Sequence, residues 1–458
     1  MLLQREAPKM STRGISVPAT RVLEIFLLAM TLGACRQPAK DPVTLSYVRL
    51  GWSQPDELPT AELLSEQFTR ETGIRLRPIP VPENTLDQLG LSRRLLEGAS
   101  GPDVLGVDVI WSGVLQDNLL DLQNYVEPEI SLLQPQLVSS YAVDGKLGAI
   151  PYQVQIGVLE YRTDLLRKYG YDHPPRTWDE LERMAERIQT GERARGDKDF
   201  WGYVWQGAAG EGLTCNALEW QASEGGGRII EDDRTISVNN PAAIRSWQRA
   251  KRWIGWISPP SVVAYHESDS MNAFDSREAA FDRVWGGLTD GASNLPSRLP
   301  PDLHQRSSRP TGKTGYTSIP GGPRGRFGTL GGSGLSISAH SLHPQEAAEL
   351  VRFLIRAQTR TSEDSTLANQ HEYPEIHELP AIFNPQNGSE KSGRYKSELV
   401  RRPSTDTGKL YEQVARAYFT AVHSVLTGER GAPEAAAELE KQLVAITHFR
   451  TGPPKTQD

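Results

Sequence analysis

From Val43 onward, the chain's apolar positions switch repeatedly between a spacing of two and a spacing of three to four. Val43–Leu50 is rich in β-branched and aromatic residues and predicts a strand. Thr60–Thr72 places Ala61, Leu64 and Phe68 on one helical face and stops at Gly73; Ile74–Ile79 then alternates apolar and basic side chains, as a strand would. Asp103–Trp111 opens with a short continuous apolar run, the pattern of a parallel strand covered on both faces. Strand, helix, strand, helix, strand is the order of a doubly wound α/β lobe.

The alternation restarts at Gly148–Tyr161, a strand, followed by a short helix over Asp164–Tyr169 that Gly170 closes. Thr177-Trp-Asp-Glu180 is a capping box, and Leu181, Met184, Ala185 and Ile188 share a face of the helix it opens. Asn240-Pro241 caps another helix, on which Ala243, Trp247, Ala250 and Ile254 recur at helical spacing. Pro300–Gly334 is rich in proline, glycine and arginine and reads as loop, with a strand at Leu335–Ala339 and a helix at Pro344–Ala357 behind it. The C-terminal third is helical, with Leu439 and Leu443 on its last apolar face. Two α/β lobes follow, with the chain returning late to the first.

Upstream of this body the pattern is different. Lys9, Arg13 and Arg21 precede the apolar run Val22–Ala34, which Glu24 interrupts, and the start could equally be Met10. A basic region, a short apolar run and small residues make a secretory signal, too short to cross a bilayer of roughly 30 Å as a stable helix. Leu32-Gly-Ala-Cys35 resembles the bacterial lipobox, so acylation of Cys35 is expected, with residues 1–34 removed and 35–42 serving as a tether. The chain has two cysteines, so Cys215 would then be a lone buried thiol, and a disulfide scaffold and a cysteine-rich zinc site are excluded.

The 458 residues exceed what one core organises. A net charge of −7 and a pI near 5.8 give no support to a nucleic-acid partner. Gly312-Lys313-Thr314 ends like a phosphate loop, but Ser307 stands where its first glycine is required. Gly331-Gly-Ser-Gly334 lacks the glycine spacing of a nucleophile elbow, and His371-Glu372 has no histidine at 375 to complete a zinc motif. His340 and His343 lack an acidic third ligand nearby. No metal, cofactor or catalytic residue is therefore expected. Paired carboxylates such as Glu57, Asp108 and Glu211 leave a glycosidase as a minor alternative, which chain spacing cannot test.

All ten tryptophans fall between Trp52 and Trp285. Trp247 and Trp253 lie on a helix face and read as core, whereas Trp111, Trp205 and Trp285 stand beside glycine or serine at strand ends. An indole offers a flat apolar face with one polar edge, suited to the C–H face of a pyranose.

Together these features resemble the family 1 extracellular solute-binding proteins of bacterial ABC importers, nearest the trehalose/maltose-type sugar binders. The resemblance runs from about Val43 to about Leu443. It is carried by Asp108-Val-Ile-Trp111, Ile150-Pro-Tyr152, Tyr161-Arg-Thr-Asp-Leu-Leu-Arg-Lys-Tyr-Gly170, Pro174-Pro-Arg-Thr-Trp-Asp-Glu-Leu181, Gly202-Tyr-Val-Trp-Gln-Gly207, Glu211-Gly-Leu-Thr-Cys-Asn216, Ile257-Ser-Pro259 and Arg402-Pro-Ser404. It implies a two-lobed periplasmic-binding-protein fold with discontinuous lobes and a hinged central cleft. Residues 43–153 and 314–358 would form lobe I, 154–313 and 359–450 lobe II, and 451–458 a tail. The implied function is capture of a di- or oligosaccharide and its delivery to permease transmembrane subunits, by a monomer anchored outside the cytoplasm through Cys35.

The resemblance implies ligand contacts from Glu57, Asp108, Tyr152, Gln155, Trp205, Glu211, Trp285 and Arg402. Four positions depart from the family pattern: Gln155 replaces an aspartate, Gly210 a tyrosine, Gly286-Gly287 a Pro-Tyr pair and Ser333 a tryptophan. Three of these remove aromatic surface and one a charge. A larger or different sugar, or a lipoprotein serving as a sensor or partner-binding subunit, is the alternative they leave open.

Overall fold

The computed structural model describes residues 42–48, 58–79, 85–97, 101–287, 314–365 and 397–455. β1 (Thr44–Val48), β2 (Arg75–Ile79) and β3 (Val104–Asp108) are parallel, β1 pairing with both others, and helices Leu58–Thr72 and Thr85–Glu97 make the crossovers. β4 (Ala142–Val143) and β5 (Lys146–Leu147) form a small hairpin. β6 (Ile150–Arg162), β7 (Trp201–Val204), β8 (Ala279–Gly287), β9 (Thr314–Ser318), β10 (Arg326–Ile337) and β11 (Ser397–Val400) complete the strands. The main sheet runs β2-β1-β3-β10-β6-β8-β7, with β11 added to β10 and β9 to β6.

Two buried cores lie along this sheet. The first gathers Leu45, Phe68, Leu105, Val107, Ile337 and Val351. The second gathers Leu181, Trp205, Trp220, Trp253, Phe281 and Leu439. Trp253 is central to the second, with ring centroids 5.4 Å from Trp178, 5.6 Å from Tyr203 and 5.6 Å from Trp220, the last two edge-on as aromatic quadrupoles favour. Three stretches feed both cores. β6 gives Ile150 and Val154 to the first and Leu159 and Tyr161 to the second. β10 gives Phe327 to the second and Leu330, Leu335 and Ile337 to the first. Helix Tyr411–Leu426 gives Tyr411 and Ala415 to the first and Val414, Tyr418 and Val422 to the second.

Local signals are met by local bonds. Thr177 accepts from the Glu180 N–H at 3.2 Å and Asn240 accepts from the Ala242 and Ala243 N–H groups at 3.0 Å, so both caps satisfy donors that the first helical turn would leave unpaired. The helix after Asn240 stops at Trp253, so Ile254 falls beyond it in extended backbone, against the periodicity.

The larger correction concerns Pro300–Gly334. β9 and most of β10 lie within this supposed loop. Its glycines mark close strand packing instead. A Cβ at Gly328 would fall 2.4 Å from Ile156, and one at Gly332, whose φ is +102°, would fall 2.0 Å from the Gln153 carbonyl oxygen. β9 pairs with the Val158–Arg162 half of β6, so the chain returns to the first core within β10.

Candidate functional site

The crossing strands bring distant residues together. Asp108, at the carboxyl end of β3, lies opposite Ser333 of β10; Gly331 of β10 lies opposite Gln155 of β6, which in turn lies opposite Gly287 of β8. A register shift between Ser333 and Gly334 and the left-handed Gly332 bend β10 here, and the Gly332 carbonyl accepts the Val109 N–H at 3.0 Å. The carboxyl end of a strand where sheet connections change is a common place for a ligand crevice.

Arg402 follows β11 and is buried. Its Nη1 donates to Glu211 Oε2 at 3.1 Å and its Nη2 to the Leu330 carbonyl at 3.2 Å. The same Glu211 oxygen accepts from the Tyr411 hydroxyl at 2.9 Å. Glu211 is the first residue of helix Glu211–Ser223, where the unpaired N–H groups favour a negative charge. The half-buried Asp108 receives the Ile110 N–H at 3.1 Å. Burial pushes its pKa up to about 6; Arg402 and the Ile110 N–H pull it down, while Glu211 and Glu267 push it further up. A carboxyl so placed is ionised at neutral pH and takes a proton under mild acid.

On the other side of β10 stands Trp285, half-buried. Its Nε1 donates to Glu267 Oε1 at 2.7 Å, and the Arg283 guanidinium lies 4.1 Å from its ring centroid. Gly331 makes room for the ring, since a Cβ there would fall 2.6 Å from Trp285 Cζ3. Beneath it, Arg283 meets Glu219 through Nη2–Oε1 at 2.6 Å and Nε–Oε2 at 3.2 Å, both side chains 1% exposed.

Asp108, Glu211, Arg402 and Trp285 therefore converge, drawn from β3, the start of a helix, the segment after β11 and β8. Tyr152 and Gln155 lie half-buried on β6 at the same crossing, Tyr152 packed against the first core. Trp205 does not join them. It is fully buried, its Nε1 donates to Ser258 at 3.0 Å, and Trp220 stands perpendicular to it with centroids 5.0 Å apart, so protein covers the ring. Trp111 is likewise in the first core. Glu57 and Cys35 lie outside the described residues.

Tyr411 and Glu267 were not legible as site residues. Tyr411 begins an apolar helix stripe with Val414, Ala415 and Tyr418, so its spacing reads as core; Glu267 sits in an ordinary acidic first turn. Among the described residues there is no group of three or more His, Cys, Asp or Glu side chains placed to hold a metal, and no helix is long and apolar enough to cross a membrane.

Residues 51–361 match the family model described as bacterial extracellular solute-binding protein. The chain belongs to that family. A Deinococcus radiodurans protein named "Probable ABC transporter-binding protein" is 37% identical over 393 residues, covering 83% of this chain and 89% of the relative. The solved maltose-bound MalE3 of T. maritima is similar at 29% identity and a TM-score of 0.68, covering 88% of this chain and 100% of MalE3. The GacH receptor of Streptomyces glaucescens, at 20% identity and a TM-score of 0.67 over 89% of this chain and 99% of the receptor, shares the fold. The fold is the two-lobed one of the periplasmic sugar-binding proteins.

Proposed function

We propose that this solute-binding protein takes a di- or oligosaccharide into a cleft at the strand crossing and passes it, without chemical change, to the permease of an ABC importer. The observation that carries the reading is the convergence of one partly open indole, Trp285, with Asp108, Glu211 and Arg402, groups contributed by elements of both cores. An indole face covers sugar C–H groups, while carboxylate and guanidinium partners answer hydroxyls that would be costly to bury unpaired. The maltose held by MalE3 supports a saccharide over other solutes. Closure requires contacts present only when the lobes meet. An ion pair at 3.3 Å between Arg234, in a turn of the second core, and Asp144, in the β4–β5 turn beside the first, joins the two cores and would serve as such a contact. Cys35 would carry the lipid that keeps the monomer at the outer face of the membrane.

Calorimetric titration with maltose, trehalose, maltotriose and longer glucans tests the reading. Saturable binding with intact sugar recovered is expected. A flat response to all of them sinks it, and released reducing sugar would instead favour a hydrolase. Trp285→Ala should weaken the tightest of these sugars about tenfold, the value of one good ring contact.

The raised pKa of Asp108 sets the pH response. Its carboxylate is the form that accepts two sugar hydroxyls, so affinity should be level above pH 7 and fall as pH drops through about 6. At pH 5 it should be about tenfold weaker, because roughly one molecule in ten then carries the ionised form. Asp108→Asn should bind more weakly at pH 7.5 and lose this slope; an unaltered slope would remove Asp108 from the site.

One observation favours the sensor or partner-binding alternative. At Gly210 an added Cβ would meet nothing closer than 4.0 Å, so no neighbouring atom takes the place of a side chain's first carbon there. Capture of a membrane protein other than a permease, with no sugar response, would support it.

A further inference from the structure

We propose that Glu267 is a positioning residue of the cleft, fixing the angle at which Trp285 presents its ring to a sugar. The inference rests on the saccharide reading above and goes beyond it by naming what makes the indole a platform.

Three supports define the ring. Arg283 covers it at 4.1 Å, Gly331 admits it where any side chain would collide, and Glu267 holds its polar edge at 2.7 Å. The first two limit where the ring can sit. Neither engages the indole N–H, and rotation about the Cβ–Cγ bond is soft for an aromatic side chain. The hydrogen bond to Glu267 removes that freedom.

The carboxylate is itself well anchored. Glu267 opens helix Glu267–Asp275, whose start is fixed by the His266 N–H donating to Asp269 Oδ2 at 2.8 Å. Its charge is favoured in the first helical turn, and a charge-assisted bond from an indole N–H is stronger than a neutral one. Glu267 is itself only partly buried.

Glu267 also bears on the far side of the crossing. Asp108 faces Arg402, Glu211, Glu267, Tyr141 and the Ile110 N–H; of these, Glu211 and Glu267 raise its affinity for a proton. Removing the Glu267 charge while keeping its shape should therefore make Asp108 more acidic, a readout of its place beside the site that is separate from its bond to Trp285.

The test compares Glu267→Gln and Glu267→Leu in the full-length protein, each also on a Trp285→Phe background so that the Trp285 signal can be isolated by difference. Acrylamide quenching needs no sugar. Glu267→Leu should raise quenching of Trp285 about twofold, and Glu267→Gln, which still accepts the indole N–H, should remain near wild type. With maltose and maltotriose, Glu267→Leu should weaken binding about fivefold and Glu267→Gln less than about twofold, because the lost bond orients the ring and does not itself hold the sugar. In Glu267→Gln the pH midpoint of sugar affinity should move below that of wild type. Unchanged quenching in Glu267→Leu overturns the inference whatever the sugar results. Wild-type protein that binds neither these nor any other saccharide overturns the functional reading, and quenching still decides the role of Glu267.

Discussion

Arg402→Met should weaken sugar binding at least about a hundredfold while lowering the melting temperature by a few degrees. Arg402 answers both Glu211 and the Leu330 carbonyl, and Glu211 in turn orders the Tyr411 hydroxyl. Methionine fills similar volume but leaves the Glu211 carboxylate with one donor, and the Leu330 carbonyl loses its guanidinium. Breaking a fully buried pair costs about 3–5 kcal/mol. Glu211 keeps 31% side-chain exposure, so solvent compensates and about 2–3 kcal/mol is the better expectation. The loss of affinity should exceed the loss of stability, since the sugar loses both a donor and the carboxylate orientation that Arg402 imposes. A factor of at least about a hundred corresponds to two charge-assisted bonds. Arg402→Lys separates charge from geometry: an ammonium keeps the sign but cannot reach two acceptors with one rigid fork, so stability should recover more than affinity. Arg402→Met combined with Glu211→Leu should restore most of the melting temperature and none of the binding. Full binding in Arg402→Met, measured by calorimetry, would remove this residue from the cleft.

The elements of the fold were legible where local rules act alone. The capped helices after Thr177 and Asn240 begin where their side chains accept backbone protons, and β6 follows its apolar run. The misreading of Arg326–Gly334 has a physical cause. Glycine marks both flexible loops and places where backbones press together, and composition cannot distinguish them. Only the neighbours of Gly328, Gly331 and Gly332 show that these positions exclude a side chain. The site divides in the same way. Asp108 and Arg402 stand in the short motifs on which the resemblance rests. Trp205 stands in such a motif too, but its indole N–H found Ser258 and its faces found the second core. A tryptophan flanked by glycine reads the same in sequence whether its ring turns inward or outward. Tyr411 and Glu267 are placed by partners 200 and 18 residues away in the chain, and spacing carries no trace of such pairs.

Arg283→Met should be more damaging to the scaffold than any cleft substitution, Arg402→Met included, and it should reach the cleft indirectly. Arg283 and Glu219 are each 1% exposed, and Glu219 Oε1 also accepts the Thr329 N–H at 3.0 Å, so one carboxylate ties β8 and β10 to helix Glu211–Ser223. Gly157 of β6 is what lets the pair fit, because a Cβ there would fall 1.9 Å from Glu219. Removing the cation leaves a buried carboxylate with only a backbone donor, at a cost of about 3–5 kcal/mol. For a protein of this size that corresponds to a fall in melting temperature of roughly 3–6 °C, read by calorimetry. Replacing both partners, Arg283→Met with Glu219→Leu, should recover much of the loss, because two desolvated charges leave together. The same guanidinium lies 4.1 Å from the Trp285 ring centroid. The double variant should therefore fold well yet bind sugar several-fold more weakly than wild type, since its indole rests on a flexible thioether in place of a planar cation. A double variant that regains stability and binds as wild type does would show that Trp285 takes its position from Gly331 and Glu267 alone.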